Sequence, residues 1–399
     1  MHSSLAKPPA TEIHQRIDHL QSYLRESEID GVLIVQKADL YYFSGTVQNG
    51  HLFVPAQGDP VLMIHKNLSR AASESNIGTI VPLNNPKEIP EILKAFGFST
   101  PKVLGLELDV IPANLYLNHQ RTFEKTVLTD VSSAIRSIRS VKSEYEIGMI
   151  RRSAELADEV SASVVNFLRE GITEVELAGM VEAYARRLGH QGIIRMRLWG
   201  SEIFYGHLLS GPAAAIPSYL SSPTGGEGLS QAVAQGSGFR KIQRHEPVLV
   251  DYVFAYNGYL ADHARIFSLG RLPVALHDSH RMMLELSSEI EQIAKPSVSA
   301  GEIWEHAITF ARRYGIADRF MGADDRRIHF VGHGVGLELD EYPFLAKGQT
   351  RPLQAGMTLA LEPKLVIPGQ GVVGIENTYV VAKNGLEPLT RFKEDVIVL

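Results

Sequence analysis

The sequence predicts a mixed α/β (α+β) fold with two domains, residues 1–139 and 140–399. Two observations lead to this prediction. In the first domain, segments with apolar residues at helical spacing alternate with short apolar runs that are typical of buried strands. In the second domain, amphipathic helices with capping signals are combined with longer strand-like runs that are joined by tight turns. A chain of 399 residues is long enough to bury two hydrophobic cores.

Composition narrows the range of functions. Hydrophobic residues make up 44% of the chain and charged residues 21%, which is typical of a folded protein. The net charge of −6 and the lack of a long basic run argue against nucleic acid or an anionic membrane as partner. No membrane-spanning run and no signal-peptide pattern is evident, so we expect a cytoplasmic protein. Because the chain has no cysteine, oxygen and imidazole must bind any metal.

The N-terminal domain combines helix and strand signals. Its first helix is indicated by apolar residues at helical spacing, namely Ile13, Ile17, Leu20 and Leu24. Buried strands are predicted in "GVLIV" (31–35) and "KVLGLEL" (102–108). The segment "HLFVPAQGDPVLMIH" (51–65) is typical of a hairpin with a Gly-Asp-Pro loop. These signals predict a small α/β domain.

The C-terminal domain has clear helix starts. Capping boxes, in which Ser or Thr precedes Glu by three residues, predict helices that begin at Ser143, Thr173 and Ser299. A further helix is expected at about 278–295, and strands are expected at 247–256, 259–268, 357–366 and 372–382. Residues 218–240 are rich in glycine and serine and predict a long loop, which in a compact domain is usually functional or mobile.

One predicted hairpin, residues 250–267, carries two carboxylates in an otherwise apolar run. Its turn is the Asn-Gly pair at 257–258, the strongest signal for a two-residue hairpin loop. Counting outward from this turn places Asp262 opposite Val253, so that Asp251 is its diagonal neighbour at a Cα distance of roughly 7–8 Å. Two carboxylates on a half-buried face repel each other unless a proton or a cation lies between them.

A second strand pair contains Glu362 and Glu376, joined by a Pro-Gly-Gln-Gly turn at 368–371. If the loop is centred on Gly369, the two glutamates face each other, whereas a loop one residue longer staggers them. Glutamate is depleted in strands and is seldom buried without a partner. The second pair therefore raises the same question as the first.

Two histidines, His329 and His333, lie four residues apart in "HFVGHGVGLELDEYP" (329–343). On a helix this spacing would suggest a metal-binding pair, but the glycines around His333 argue against a helix. In an extended chain the two side chains are about 13 Å apart, at ~3.3 Å per residue. Only one of them can then belong to the site, and the flanking glycines favour His333.

Each of these residues alone has an ordinary structural explanation, but together they form four carboxylates and one imidazole with no obvious basic partner. A site of this kind suits Mn²⁺, Co²⁺, Fe²⁺ or Zn²⁺. A pair of ions ~3.5–4 Å apart needs about this many carboxylates. The glycines at 332–336 are not followed by a helix pattern and do not suggest a dinucleotide site, and a G-x-S-x-G motif of serine hydrolases is absent.

The order Asp-x10-Asp, G-H-G-x-G, E-P and a final strand Glu resembles the Xaa-Pro peptidase/creatinase family, peptidase family M24. This family includes prolidase, aminopeptidase P and methionine aminopeptidase. The resemblance covers nearly the whole chain, and residues 136–158 look like the usual start of its C-terminal domain. It implies a small creatinase-like α/β domain, a "pita-bread" catalytic domain and a homodimer.

The resemblance also implies roles for individual residues. The positions that match the ligands of two divalent ions (Mn, Co, Zn or Fe) are Asp251, Asp262, His333, Glu362 and Glu376. Asp262 and Glu376 would bridge the ions, and Glu362 would also handle the proton of the attacking water during hydrolysis of an amide bond. His329 matches a position that helps to bind the substrate or to stabilise the reaction intermediate.

Departures from the family pattern concern the surroundings of these ligands. Asp340 replaces a second histidine seven residues after the ligand, and Ser218 replaces the histidine of a Pro-His pair; both are expected near the substrate. The D-x-T-R and R-x-E motifs of relatives become D-H-A-R at 262–265 and G-I-E at 374–376. The sequence thus predicts a hydrolase of a small peptide or amide more firmly than a proline-specific peptidase, and slow cleavage of Xaa-Pro dipeptides.

Two alternatives remain open at this point. One is a C–N hydrolase similar to creatinase or ectoine hydrolase, which acts on a non-peptide substrate. The other is a non-catalytic family member that serves in binding. Both kinds of relative typically lose metal ligands, and the presence of all five matching residues argues against both.

Overall fold

The computed structural model describes residues 7–323 and 327–399. Contacts within the chain divide it into two compact units, residues 1–139 and 140–399. None of the helices in the described ranges is both long enough and apolar enough to cross a membrane.

The first unit is built on a six-stranded sheet with the strand order β4-β3-β2-β1-β5-β6. Its strands are β1 Gly31–Ile34, β2 Gly50–Pro55, β3 Val61–Ile64, β4 Thr79–Pro82, β5 Val103–Leu106 and β6 Val127–Asp130. Its helices are α1 Ala10–Glu26, α2 Lys37–Ser44, α3 Leu68–Glu74, α4 Ile89–Ala95, α5 Ala113–Thr122 and α6 Ser132–Ser140. The predicted hairpin is present as the antiparallel pair β2/β3.

Apolar patterning explains the first unit. The residues that predict α1 are all buried, and each is at most 4% exposed. The sheet contributes Leu33, Phe53, Met63 and Leu104 to one apolar cluster. The spacing of apolar residues therefore predicts both the buried side of the helix and the buried face of the sheet.

The helices of the second unit are α7 Glu144–Ser163, α8 Glu174–Arg187, α9 Gly211–Ala214, α10 Val274–Ile293 and α11 Ala300–Arg313. All three predicted capping boxes are formed, because each Ser or Thr accepts from the backbone N–H of its Glu partner, whose side chain bonds back. These boxes satisfy backbone groups that the first turn of a helix leaves unpaired. They therefore stabilise the first turns of these three helices.

Within residues 140–323 and 327–399, the strands form two larger sheets and two short strand pairs. Their bounds are β7 Gly206–Ser210, β8 Val248–Tyr252, β9 Phe254–Tyr256, β10 Tyr259–Ala261, β11 Ala264–Ser268, β12 Phe330–Gly334, β13 Glu341–Ala346, β14 Thr358–Leu361, β15 Lys364–Ile367, β16 Gly371–Gly374, β17 Asn377–Ala382, β18 Gly385–Pro388 and β19 Ile397–Val398. The larger sheets have the orders β19-β11-β8-β7 and β13-β12-β14-β17-β18.

Each of the four long strands that the sequence predicts is split in two. The breaks fall at 253, 262–263, 362–363 and 375–376, which are the positions that carry or face the predicted ligands. At these points the backbone changes partner: the N–H of Ala264 donates to Glu376 O, and the N–H of Glu362 donates to Val331 O. Such exchanges depend on the tertiary arrangement, so local patterning does not reveal them.

The registers of both strand pairs agree with the sequence analysis. Asp251 pairs with Ala264 and Phe254 pairs with Ala261, so the same register places Val253 opposite Asp262. In the other pair, the register on both sides of the break places Glu362 opposite Glu376. Of the two loop lengths left open by the sequence, the one centred on Gly369 is therefore correct.

Apolar side chains cover β8 on both faces. Leu249 belongs to a core that also contains side chains of α10 and α11. Its neighbours Val248 and Val250 belong to a second core, which contains side chains of α7 and α8. Because both faces are buried, this strand reads as a continuous apolar run in which Asp251 is the exception.

Candidate metal centre

All five predicted ligands line one cavity in the second unit. Asp340 also lines it, together with apolar side chains that include Met196, Ile203 and Leu339. The lining of the cavity thus combines charged and apolar side chains.

His333 lies in β12, which pairs with β14 on one side and with β13 on the other. A Cβ atom at Gly332 would lie 2.3 Å from Ala360 O, and one at Gly334 would lie 2.2 Å from Tyr342 O. The flanking glycines are therefore needed because the neighbouring backbone approaches closely, as the sequence suggests. They allow the backbone of β12 to lie close to both neighbouring strands.

Three carboxylates converge on His333. Its Nε2 atom lies 3.8 Å from Asp262 Oδ2, 3.9 Å from Glu376 Oε1 and 4.0 Å from Glu362 Oε1. Ligand atoms of Asp262, His333 and Glu376 all lie within 4.8 Å of one another. Bonds of roughly 2.0–2.2 Å to one ion place its ligand atoms about 3–4 Å apart, so this donor set fits a divalent transition metal with little movement.

A lysine lies among the same carboxylates, which corrects the expectation that they have no basic partner. Lys364 Nζ lies 2.8 Å from Asp251 Oδ2, 2.8 Å from Glu362 Oε2 and 2.7 Å from Glu376 Oε2. The Lys364 side chain is only 1% exposed. The predicted ligands therefore already surround one cation that belongs to the chain.

Burial and mutual repulsion shift the pKa values of these groups. Burial, followed by the nearby Asp251 carboxylate, raises the pKa of Asp262 to about 7. Burial and the neighbouring Asp262 raise the pKa of Glu376 well above its ordinary value. Burial would lower the pKa of Lys364, but the surrounding carboxylates, Asp251 first, raise it well above its ordinary value. The cluster therefore binds either protons or cations strongly.

Asp340 and His207 also belong to the polar lining of the cavity. Asp340 Oδ1 lies 3.7 Å from His333 Nδ1, which itself contacts Gly334 O at 3.1 Å. His207 pairs across the strands with Asp251, and its ring contacts Thr224 Oγ1 and Gln235 Oε1 at 3.1 and 3.2 Å. Burial lowers the pKa of His207. Sequence reasoning missed His207, because its strand carries no distinct signal and its register depends on a distant segment.

His329 and Ser218 lie outside the lining of this cavity. His329 packs edge-to-face against Trp304 and lines a separate pocket together with Arg327 and Lys347. Ser218 accepts a hydrogen bond from the N–H of Leu220 in the 218–240 loop, and Leu220 itself reaches the cavity. For His329 the physical reason is the length of an extended chain between the two histidines. The roles that the sequence assigns to both residues stay predictions.

The fold and the site together define a metal-dependent hydrolase. The model of metallopeptidase family M24 matches residues 148–383, and that of the creatinase/prolidase N-terminal domain matches residues 16–141. The first match alone covers more than half of the chain. The chain therefore belongs to metallopeptidase family M24.

Known proteins extend this similarity over nearly the full length. The chain is 27% identical over 386 residues to an Xaa-Pro dipeptidase of Pyrococcus furiosus, covering 96% of this chain and 99% of the relative. Among solved structures, a prolidase from the same organism is 27% identical, with a TM-score of 0.76 over 94% of this chain and 99% of that chain.

A third similarity concerns the fold alone. An Xaa-Pro dipeptidase from Bacillus anthracis is 23% identical and superposes with a TM-score of 0.83, covering 97% of this chain and 100% of that chain. The predicted fold, a creatinase-like α/β domain followed by a pita-bread domain, is thereby confirmed. The prediction of a metal-dependent hydrolase is confirmed as well.

Proposed function

We propose that this protein hydrolyses an amide bond in a small peptide, at a metal centre formed by Asp262, His333 and Glu376. The convergence of three carboxylate oxygens on His333 Nε2, at 3.8–4.0 Å, is the observation that carries the proposal. A divalent ion bound there supplies Lewis-acid chemistry, because it polarises a carbonyl and makes a nearby water more acidic. The similarity to Xaa-Pro dipeptidases supports a peptide as the substrate.

Glu362 is the proton carrier in this proposal. Its Oε1 atom faces His333, while its Oε2 atom is held 2.8 Å from Lys364 Nζ. It accepts a proton from the attacking water as the new C–O bond forms. It then gives this proton to the leaving amine as the C–N bond breaks, which balances the hydrolysis. The contact with Lys364 holds Oε2, so Oε1 is the oxygen that carries the proton in this proposal.

Asp340 favours a substrate with a positive group near the scissile bond. It lines the cavity beside His333, where an ionised carboxylate can accept a hydrogen bond but cannot donate one to a developing oxyanion. The loss of one such donor costs about 10²–10³ in rate. Xaa-Pro dipeptides without an added cation are therefore poor substrates.

A substrate panel tests this function. Metal-depleted protein is reconstituted with Mn²⁺ or Co²⁺ and assayed with Xaa-Pro dipeptides, cationic dipeptides and small cationic amides. We expect turnover that depends on the added metal and is lost in Asp262→Asn, which removes one of the converging oxygens. The matched control is Asp278→Asn, since Asp278 is an exposed carboxylate on α10, outside the cavity. Hydrolysis that survives metal removal would refute the proposed centre.

The substrate preference has its own variant. Asp340→His restores a side chain that can donate a hydrogen bond, so we expect faster cleavage of Xaa-Pro dipeptides and slower cleavage of cationic ones. Wild-type turnover of Xaa-Pro dipeptides near ~10 s⁻¹, which is typical of enzymes on their own substrates, would show that Asp340 does not set the preference.

Finer properties stay predictions of the sequence and its family resemblance. They are a homodimer, a cytoplasmic location, the choice among manganese, cobalt, zinc and iron, and a domain boundary after residue 139. Light scattering tests the first, and a single species of 44.0 kDa at micromolar concentration would contradict it.

A further inference from the structure

We infer that the ammonium group of Lys364 takes the place of one of the two metal ions that the sequence resemblance implies. In this chain one divalent ion binds on the His333 side of the carboxylate cluster, and Lys364 is the second cation. The inference rests on the proposed metal centre, and it replaces the two ions that the family resemblance implies with one ion and a lysine.

Each N–H donor of the Lys364 ammonium has an acceptor in the carboxylate cluster. An ammonium has three N–H donors, and Lys364 Nζ has three carboxylate acceptors, on Asp251, Glu362 and Glu376, at 2.7–2.8 Å. Charged hydrogen bonds of this length are among the strongest in proteins. All three donors therefore point at groups that the resemblance assigns to metal ions.

The two glutamates are shared between two sides of the cluster. Their Oε1 atoms face His333 Nε2 at 3.9–4.0 Å, and their Oε2 atoms contact Lys364 Nζ at 2.7–2.8 Å. A carboxylate that bridges two cations uses its two oxygens in this way. The ammonium thus has the position of one cation of a bridged pair, while the His333 side retains the donor set for the other.

A second ion on the Lys364 side would compete for the same atoms. Its ligands would be the oxygens of Asp251 and Glu376 that now accept from Nζ. With two divalent ions, an ammonium would bring the positive charge to five against four carboxylates within a few ångströms. Like charges at such distances repel strongly when buried. One divalent ion and the ammonium give three positive charges, which the four carboxylates can compensate.

The backbone holds the lysine in this position. Lys364 begins β15 opposite Gly374, where a Cβ atom would lie 2.7 Å from Lys364 Cα and 2.4 Å from Pro363 O. Gly374 has a φ of 148°, a backbone conformation that residues other than glycine rarely adopt. The backbone C=O of Lys364 also accepts from the N–H of Met321 at 3.0 Å. The lysine is therefore a fixed part of the strand pair.

Metal counting tests the inference. Metal-free wild-type protein, Lys364→Met and Lys142→Met are titrated with Mn²⁺ alone, and bound manganese per chain is measured by element analysis after removal of free ion. Lys142→Met is the matched control, because Lys142 is also a buried lysine, bonded at 3.0 Å to Glu341, which is not one of the predicted ligands. Electron paramagnetic resonance on the same samples distinguishes isolated Mn²⁺ from a spin-coupled pair.

We expect one isolated Mn²⁺ per chain in the wild type and in Lys142→Met, and two coupled ions in Lys364→Met. Two ions in the wild type would overturn the inference while leaving the metal-dependent function intact. No bound ion in the wild type would overturn both. One ion in the wild type without hydrolysis of any peptide would support the inference and refute the proposed function. If Lys364→Met does not fold, the wild-type count and spectrum still decide the question.

Discussion

Two regions of this protein bury several titratable side chains of one kind, and they deal with the charge in opposite ways. In the first unit, the ring of His51 lies 5.6 Å from the rings of His65 and His119. In the second unit, four carboxylates surround His333 and Lys364. His51 and His119 are kept neutral, whereas the carboxylates surround a cation.

Ordinary pKa values explain the difference. Burial lowers the pKa of His51 to about 3 and that of His119 to about 4, so both rings are neutral at pH 7. A histidine loses its proton at little cost, because its ordinary pKa is already near 6.5. Four carboxylates would have to gain protons against ordinary values near 4. A cation placed among the carboxylates compensates their negative charge without requiring all four to gain protons.

Removal of the Lys364 ammonium should have the largest effect on the free energy of unfolding. In metal-free Lys364→Met, three carboxylates lose a buried partner, and we expect the free energy of unfolding to fall by about 3–5 kcal/mol. Urea denaturation at pH 7.5, with and without Mn²⁺, measures the loss and its recovery by the ion. Lys142→Met should lose stability as well, but Mn²⁺ should stabilise this variant no more than it stabilises the wild type. Equal stability of metal-free Lys364→Met and wild type would mean that the cluster needs no cation.

The second-largest effect is expected from acid, which should destabilise the first unit around His51 and His119. Below pH 6.5 the unfolded chain binds protons at His51 and His119, while the folded chain, with pKa values of about 3 and 4, does not. Stability is therefore lost as the pH falls, by about 2 kcal/mol per histidine at pH 5. Hydrogen exchange at amides of β2 and α5 measures this loss. Protection that is unchanged between pH 7 and 5 would show that the rings bind protons in the folded state.

Metal binding should show a smaller pH dependence. Because the pKa of Asp262 is raised to about 7, its carboxyl holds a proton below that pH, and the proton must leave before an ion binds. We expect the affinity for Mn²⁺ to fall about tenfold per pH unit below 7. Calorimetric titrations in buffers of different ionisation enthalpy count the released protons. An affinity that does not change between pH 7 and 6 would show that no ligand of the cluster loses a proton when the ion binds.

The sequence predicts the carboxylates of the site well, because local rules govern them. The Asn-Gly turn at 257–258 determines the pairing of Asp251 with its neighbours, and the loop centred on Gly369 determines that of Glu362 with Glu376. Both turns lie within the segments that they organise. A two-residue turn sets the register of a whole hairpin.

Lys364 and His207 show the limits of the same rules. Lys364 follows Glu362 by two residues and so belongs to the same strand face, a signal that was present in the sequence. Its ammonium nevertheless also needs Asp251 from a different strand pair, and no local pattern reports that contact. His207 reaches the site only because β7 pairs with β8, about forty residues further on. Local sequence patterns therefore do not predict residues that reach the centre through long-range strand pairing.

Replacement of a buried histidine should have the smallest effect and so tests the comparison most directly. Among the described residues, neither ring nitrogen of His51 has a hydrogen-bond partner, and the residue is 5% exposed. Phenylalanine has a similar volume and no polar atom to bury. We expect His51→Phe to change the free energy of unfolding at pH 7.5 by less than about 1.5 kcal/mol. His51→Lys, which introduces a charge that burial disfavours, should cost several times more. A large loss in His51→Phe, measured by urea denaturation, would show that the ring contributes through a polar interaction, and the two regions would then differ less than their pKa values indicate.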